Sequence, residues 1–222
     1  MFNLINIVSN VVGYRNANFK DNASLNLLDI GCSSFIPDHF TKYAKLIHYL
    51  GCDPDYIGIQ NVKSQKYLKN FRSNSFINVG ASNVTKKSLL EVSSKRTGSK
   101  IVQGYSKREN LFKVNLLETA ILQKKFSNGS ANLIKIDVEG HELEVVKGAN
   151  LSCQNLLAVE VECTLNQNNN NLSTIISELE NNKFFLASIK YHNAQTFNLS
   201  IFNNKISRNI YRVLSKIPFV KR

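Results

Sequence analysis

Apolar positions along the chain fall into short runs separated by polar turns, and two kinds of run alternate. LNLLDIG (25–31), SFINVGAS (75–82), ANLIKID (131–137) and NLLAVEVE (155–162) are brief and almost continuously apolar, the pattern of strands buried on both faces. Between them the spacing lengthens. HFTKYAKLIHYL sets Phe40, Tyr43, Leu46, Ile47 and Leu50 along one stripe and predicts a helix over 39–50. Helical spacing also runs from YIGIQ (56–60) through VKSQKYLKNF, and recurs in HELEVVKGA (141–149) and LSTIISELENN (172–182). LFKVNLLETAILQKKF (111–126) reads as a strand passing into a helix, and KSLLEVSS as an exposed β segment. FFLASIKY with TFNLSIFN predicts a closing antiparallel pair. Residues 93–110 and LNQNNNN (165–171) are polar and read as loops, the first long enough to suggest function.

Strands alternating with helices predict an α/β fold, with a mainly parallel sheet, flanking helices and a C-terminal antiparallel hairpin. The 222 residues contain no internal repeat and no linker, so a single domain over 1–222 is expected, with its core at about 25–205. No apolar run approaches the ~20 residues of a membrane span. MFNLINIVSNVVGYR lacks a basic n-region and a small-residue cleavage site, so no signal peptide and a cytoplasmic location are expected. Cys32, Cys52, Cys153 and Cys163 form no CxxC pair and none has zinc-finger spacing to a His, which suits reduced thiols.

The formal net charge of +12 changes the picture. Basic clusters lie at Lys86-Lys87, from Lys95 to Arg108, and in VLSKIPFVKR at the C-terminus. Nucleic acid is one partner that such a charge suits. The chain has no RNA-recognition signature, no helix-turn-helix pattern and no aromatic-basic alternation, which disfavours it. Abundant Asn, Lys and Ile point to compositional drift as another source. An anionic small molecule, glycan or membrane surface is a further possibility. The pattern sets no oligomeric state.

In an open parallel sheet, ligands bind beyond the carboxyl ends of the strands. The first strand ends in Asp29-Ile30-Gly31-Cys32-Ser33-Ser34, where Gly31 lets backbone approach a ligand closely. There is no GxGxxG, which argues against a dinucleotide cradle. The second strand ends in Gly51-Cys52-Asp53-Pro54-Asp55. Asp53, 24 residues after Asp29, suits acceptance of two ribose hydroxyls, although Asp-Pro-Asp is also good turn chemistry. In LIKIDVEGHELEVVKGA (133–149), Asp137 and Glu139 lie two apart and share a face if extended. Gly140 allows a tight turn, Glu142 and Glu144 favour the start of a helix, Leu143 and Val146 face the sheet, and Gly148 ends the helix. His141 beside the carboxylates suits proton transfer near neutrality. Glu160 and Glu162 end the next strand, either at a substrate or as an edge cap.

IKIDVEGHELEVVKGA resembles the signature of the FkbM-type methyltransferases, close to KIDVEG-x-E-x-x-V-L-KGA. LLDIGCSSFIPDHFTKYAKLIHYLGCDPD is similar to that family's first motif and second-strand acidic segment, INVGASNVTKKSLLEVS to its third strand and β ribbon, and LLAVEVE to its fifth strand. The likeness covers roughly residues 25 to 190. It implies a Rossmann-like methyltransferase domain that uses S-adenosylmethionine (SAM), with a sugar, glycan or small-molecule hydroxyl as acceptor. On that likeness Asp29, Gly31 and Cys32 line the methionine end of the cofactor, Asp53 binds the ribose, and Ala81 and Ser82 flank the adenine. Asp137 and Glu139 face the sulfonium and the acceptor, and the base is His141, Asp137 or Glu139. A divalent cation held by the carboxylates is an alternative way to acidify a hydroxyl. Two positions depart from the family pattern: Phe35, which narrows a loop commonly richer in glycine, and Glu118, where an Asp is usual. A nucleic-acid methyltransferase and a non-catalytic cofactor-fold protein are the competing readings. The Asn/Asp-Pro-Pro-Tyr type motif of amino-group methylation is absent, which counts against base methylation.

Overall fold

A computed structural model describes residues 24–33, 35–94, 98–102, 110–164, 172–193 and 196–203. The C-terminal basic run, the polar loop 165–171 and most of the basic stretch between 95 and 108 lie outside these residues.

The central sheet is built on β1 (Leu25–Ile30), whose six residues are all buried. β1 pairs in parallel with β2 (Ile47–Cys52) on one side and β8 (Leu133–Ile136) on the other. β3 (Ser73–Ile77) extends the sheet beyond β2, and β9 (Ala158–Thr164) beyond β8, both in parallel. β11 (Thr196–Asn203) then inserts antiparallel between β9 and β10 (Phe184–Asn193), giving the order β10-β11-β9-β8-β1-β2-β3. The predicted α/β, Rossmann-like architecture with its terminal hairpin is therefore present. Strand order reverses at β1, with β2 and β3 on one side and β8 and β9 on the other, which creates the crevice where such sheets bind ligands.

Alternation along the parallel strands separates two cores. Leu28, Ile30, Leu50, Ile134, Val159 and Val161 face one side. There they meet Leu122 of α3 (Thr119–Gln123), Leu143 and Val146 of α4 (Glu142–Lys147), and Ile175 and Leu179 of α5 (Leu172–Asn181). Leu143 and Val146 thus do pack inward. Leu27, Tyr49, Leu133 and Ala158 face the other side, against Phe40 of α1 (Asp38–Thr41) and Val62 of α2 (Tyr56–Lys63).

Three local expectations are corrected. The stripe over 39–50 is not one helix. It is α1, a 3₁₀ turn at Ala44–Leu46, and then β2. Ile47 and Leu50 are buried because β2 lies between β1 and β3, and a strand buried on both faces satisfies helical spacing by accident. SFINVGAS is two strands. β3 ends at Ile77, and β4 (Gly80–Ser82) joins a second sheet with β7 (Leu111–Glu118), β5 (Lys86–Glu91) and β6 (Lys100–Val102), in the order β4-β7-β5-β6. The stretch 93–110 accordingly contains a strand, β6, antiparallel to β5.

The second sheet is tied to α4 through a glycine. Gly148 follows α4 in an ordinary right-handed conformation, so its need for glycine is not conformational. A Cβ there would stand 1.9 Å from the Ser82 carbonyl oxygen and 2.8 Å from the Asn83 Cα. Thr119 Oγ1 donates to the carbonyls of Val145 (2.9 Å) and Ser82 (3.3 Å), and Ala120 N to that of Gly148 (2.8 Å). Gly148→Ala forces backbone apart at this junction. It is expected to destabilise the fold by about 1–3 kcal/mol, read as a drop in melting temperature of several degrees. An unchanged melting temperature would show that the junction yields freely.

Candidate functional site

The carboxyl ends of β1, β2 and β8 open into a cavity of about 730 Å³, closed on its far side by Gly80, Ala81, Leu90 and Ile101 of the second sheet. Its wall is built from positions that continue the inward alternation of the sheet. On β1, apolar Leu27 is followed two residues on by Asp29. On β8, Leu133 is followed by Lys135, and on β9, Ala158 by Glu160. Register aligns these three, since Asp29 pairs with Lys135 and Lys135 with Glu160. One row of charge therefore crosses the sheet where the apolar core ends.

Asp29 is fully buried. It accepts from the Tyr49 hydroxyl (2.8 Å) and from Lys135 Nζ (3.1 Å), and Lys135 Nζ also reaches Asp137 Oδ2 at 3.3 Å. Burial pushes the Asp29 carboxyl up, against the pull of Lys135 and Tyr49. Burial works against the Lys135 ammonium, but Asp29 and Asp137 outweigh it and hold the group charged well above its ordinary range. The short contact and the second carboxylate favour the ionised form. At the end of the row, His39 Nε2 lies 3.1 Å from Glu160 Oε2.

Beyond β1 the chain turns through Gly31, at φ +82°, where a Cβ would meet the Asp137 carbonyl at 1.7 Å. That approach brings the loop after β1 against the loop after β8, and Gly31 N donates to Cys52 O at 2.9 Å. Asp53 follows β2, is 6% exposed, and accepts from Asp55 N at 2.7 Å. Asp55 in turn caps α2, accepting from Ile57 N at 3.0 Å. Asp-Pro-Asp is thus both a turn and a carboxylate site. Burial raises Asp53 to about 6, opposed by hydrogen bonds from Asp55 and Ser33.

After β8 the chain leaves the extended conformation at once. Glu139 has φ +51° and Gly140 φ +96°. Asp137 and Glu139 do not share a strand face as an extended pair would, because β8 ends at Ile136. The turn nevertheless brings both to the cavity wall, together with His141. Burial, then the Asp137 charge, raises the Glu139 carboxyl. His141 Nε2 lies 3.1 Å from Ser82 Oγ and its Nδ1 3.7 Å from Glu144, and burial lowers its pKa.

The structure brings Gly31, Asp53, Ala81, Asp137, Glu139 and His141 to one cavity. Asp29, Cys32 and Ser82 stand behind that surface: Cys32 is fully buried, its thiol pushed well up by burial, and Ser82 is 1% exposed against His141. Phe35 lines the cavity with 60% of its surface exposed. Two basic lining residues, Lys135 and His39, carried no expectation. The signal for Lys135 was its place inside an apolar strand, in register with an equally misplaced Asp29. Glu142 is more than a helix-start charge. It is 5% exposed, and its Oε1 accepts from Gly140 N at 2.8 Å, fixing the turn. Among the described residues no group of three or more His, Cys, Asp or Glu side chains is arranged to hold a metal ion, and no helix is long and apolar enough to cross a membrane.

The family model for the methyltransferase FkbM domain matches residues 29–186. No curated protein sequence matches the chain. Among solved structures, the chain is similar to magnesium protoporphyrin IX methyltransferase from Synechocystis PCC 6803 with bound SAM. Identity is 12%, covering 90% of this chain and 77% of that one, with a TM-score of 0.44. A human methyltransferase 10 domain containing protein is 10% identical over 91% of this chain and 82% of that one, TM-score 0.45. Ribosomal protein L11 methylase from Lactobacillus delbrueckii subsp. bulgaricus is 13% identical over 86% and 75%, TM-score 0.42.

Burial raises Glu142 from 4.5 to about 7, although the Gly140 amide favours its charged form. The folded chain then keeps a proton that the unfolded chain has lost, so stability falls as pH rises between these values, by up to about 3 kcal/mol. Glu142→Gln keeps the acceptor oxygen and removes the titration. Its melting temperature should exceed wild type at pH 8 by more than at pH 5. An equal offset at both would contradict the assignment.

Proposed function

The chain belongs to the FkbM methyltransferase family, and on that premise we propose that it methylates a hydroxyl oxygen of a sugar, glycan or other small molecule, with Glu139 as base. It is a SAM-dependent methyltransferase. The cavity suits that cofactor. Its volume lies within the range of ligand sites, and Asp53 is a buried carboxylate able to accept from a ribose diol. The Lys135–Asp137 pair offers charges of both signs to an amino-acid tail. When bound, SAM supplies an electrophilic methyl group that an acceptor displaces in line.

The protein's own part is to position the acceptor and take its proton. Of the three candidate bases, Asp137 is held by Lys135, and His141 faces a partner at each ring nitrogen. Among the described residues Glu139 has no hydrogen-bonding or ion-pair partner, and its raised pKa brings it nearer to a useful base. That is the observation that carries the assignment. Gly31, Ala81 and Phe35 line the same wall. An uncharged hydroxyl acceptor is supported by the lining. Among the described residues it holds six carboxylates (Asp38, Asp53, Asp137, Glu139, Glu160 and Glu162) and Lys135 as the one lysine or arginine. A phosphodiester would be repelled there despite the overall charge of +12.

Glu139→Gln should lower methyl transfer from radiolabelled SAM to a panel of neutral sugars by about 10²- to 10⁴-fold, with little change in SAM binding. Wild-type turnover should fall as pH drops through the Glu139 pKa. Salt-sensitive transfer to RNA in preference to every sugar would overturn the acceptor class.

Asp53 gives a second test. Its carboxylate accepts ribose hydroxyls only when ionised, so affinity for S-adenosylhomocysteine should weaken as pH falls through about 6. Calorimetric titration at pH 8 and pH 5 reads this directly. Asp53→Asn should bind weakly at both pH values and show no such dependence.

A further inference from the structure

Lys135 is the residue that the site needs explained. It sits in the middle of an apolar strand, its neighbours Ile134 and Ile136 pack into the opposite core, and its side chain is 8% exposed at the cavity wall. An ammonium has three donors. Asp29 Oδ1 takes one at 3.1 Å and Asp137 Oδ2 another at 3.3 Å. Among the described residues no third acceptor contacts it, although the Glu160 carboxylate lies near enough to be felt. His39, the other basic group at that end, is engaged by Glu160.

The cofactor's methionine tail is a zwitterion whose carboxylate must enter a cavity lined by six carboxylates. An anion placed there needs a cation, and Lys135 is the one lysine or arginine among the described lining residues. It lies beside the end of β1, where the loop through Gly31 begins. The Lys135–Asp137 pair presents a positive and a negative group 3.3 Å apart, a match for the opposed charges of an α-amino acid. We propose that Lys135 is the cofactor-binding residue that receives the SAM methionine carboxylate through its remaining N–H, while Asp137 faces the positive groups of the tail. Asp29, itself held by the Tyr49 hydroxyl, fixes the position of the ammonium. The assignment rests on SAM as the cofactor, and it is independent of the acceptor and of Glu139.

Decarboxylated SAM differs from SAM only in lacking that carboxylate, so the pair of ligands isolates the contact. Calorimetric titration of wild type at pH 8 should show SAM bound about 10- to 100-fold more tightly than decarboxylated SAM. Lys135→Met should abolish the preference, by weakening SAM and leaving decarboxylated SAM unchanged or tighter. Since Lys135→Met alone strands the buried Asp29, the double variant Lys135→Met with Asp29→Asn is measured beside it as an uncharged replacement for the buried pair. A wild type that does not prefer SAM, a variant that keeps the preference, or an equal loss of both ligands would each overturn the assignment. Wild type binding neither ligand would overturn the cofactor reading along with it.

Discussion

The Lys135 ammonium between Asp29 and Asp137 joins the two strands on which the site depends. β1 and β8 are neighbours in the sheet, and their side chains on this face are apolar until the row of Asp29 and Lys135. A lone charge at that depth would be prohibitive, and breaking such a pair from one side typically costs ~3–5 kcal/mol. The pair therefore holds the register of two strands and the edge of a core, and it positions Asp137 at the cavity.

From that row outward, each feature of the site depends on close approach of backbone. Gly31 lets the loop after β1 lie against the Asp137 carbonyl, and Gly148 lets the end of α4 lie against Ser82. The first contact brings strand ends together. The second fastens the small β4-β7-β5-β6 sheet as the far wall, so that Ala81 and Leu90 line the same cavity as the carboxylates that follow β8. Glu142 fixes the turn between the two by accepting from the Gly140 amide. Residues behind the cavity surface, such as Asp29 and Ser82, contribute by holding Lys135 and His141.

Electrostatics divides the molecule. The chain is strongly basic, yet the described lining of its cavity is acidic. Long-range attraction of a polyanion and acceptance of one at the reacting centre are different demands, and the two depend on different residues. The surface charge thus says little about the acceptor.

Much of this was legible without coordinates. Continuous apolar runs marked the parallel strands, because burial on both faces leaves no polar alternation. Glycine and carboxylates at strand ends marked the cavity, because such residues are costly anywhere else in a core. Asp53, Asp137 and Glu139 follow strands in this way and line the cavity. Three things required the tertiary structure. The stripe over 39–50 fits a helix as well as a turn followed by a buried strand, and only the neighbours β1 and β3 decide between them. Splitting SFINVGAS between two sheets depends on partners 25 residues away for β3 and 36 for β4, which no local period encodes. Lys135 looked like one lysine among many until register set it beside Asp29, 106 residues earlier. The sequence by itself determined which segments are buried and what chemistry stands at their ends. Which of those end groups meet one another was decided by strand order, because pairing across a sheet joins residues by space and not by chain.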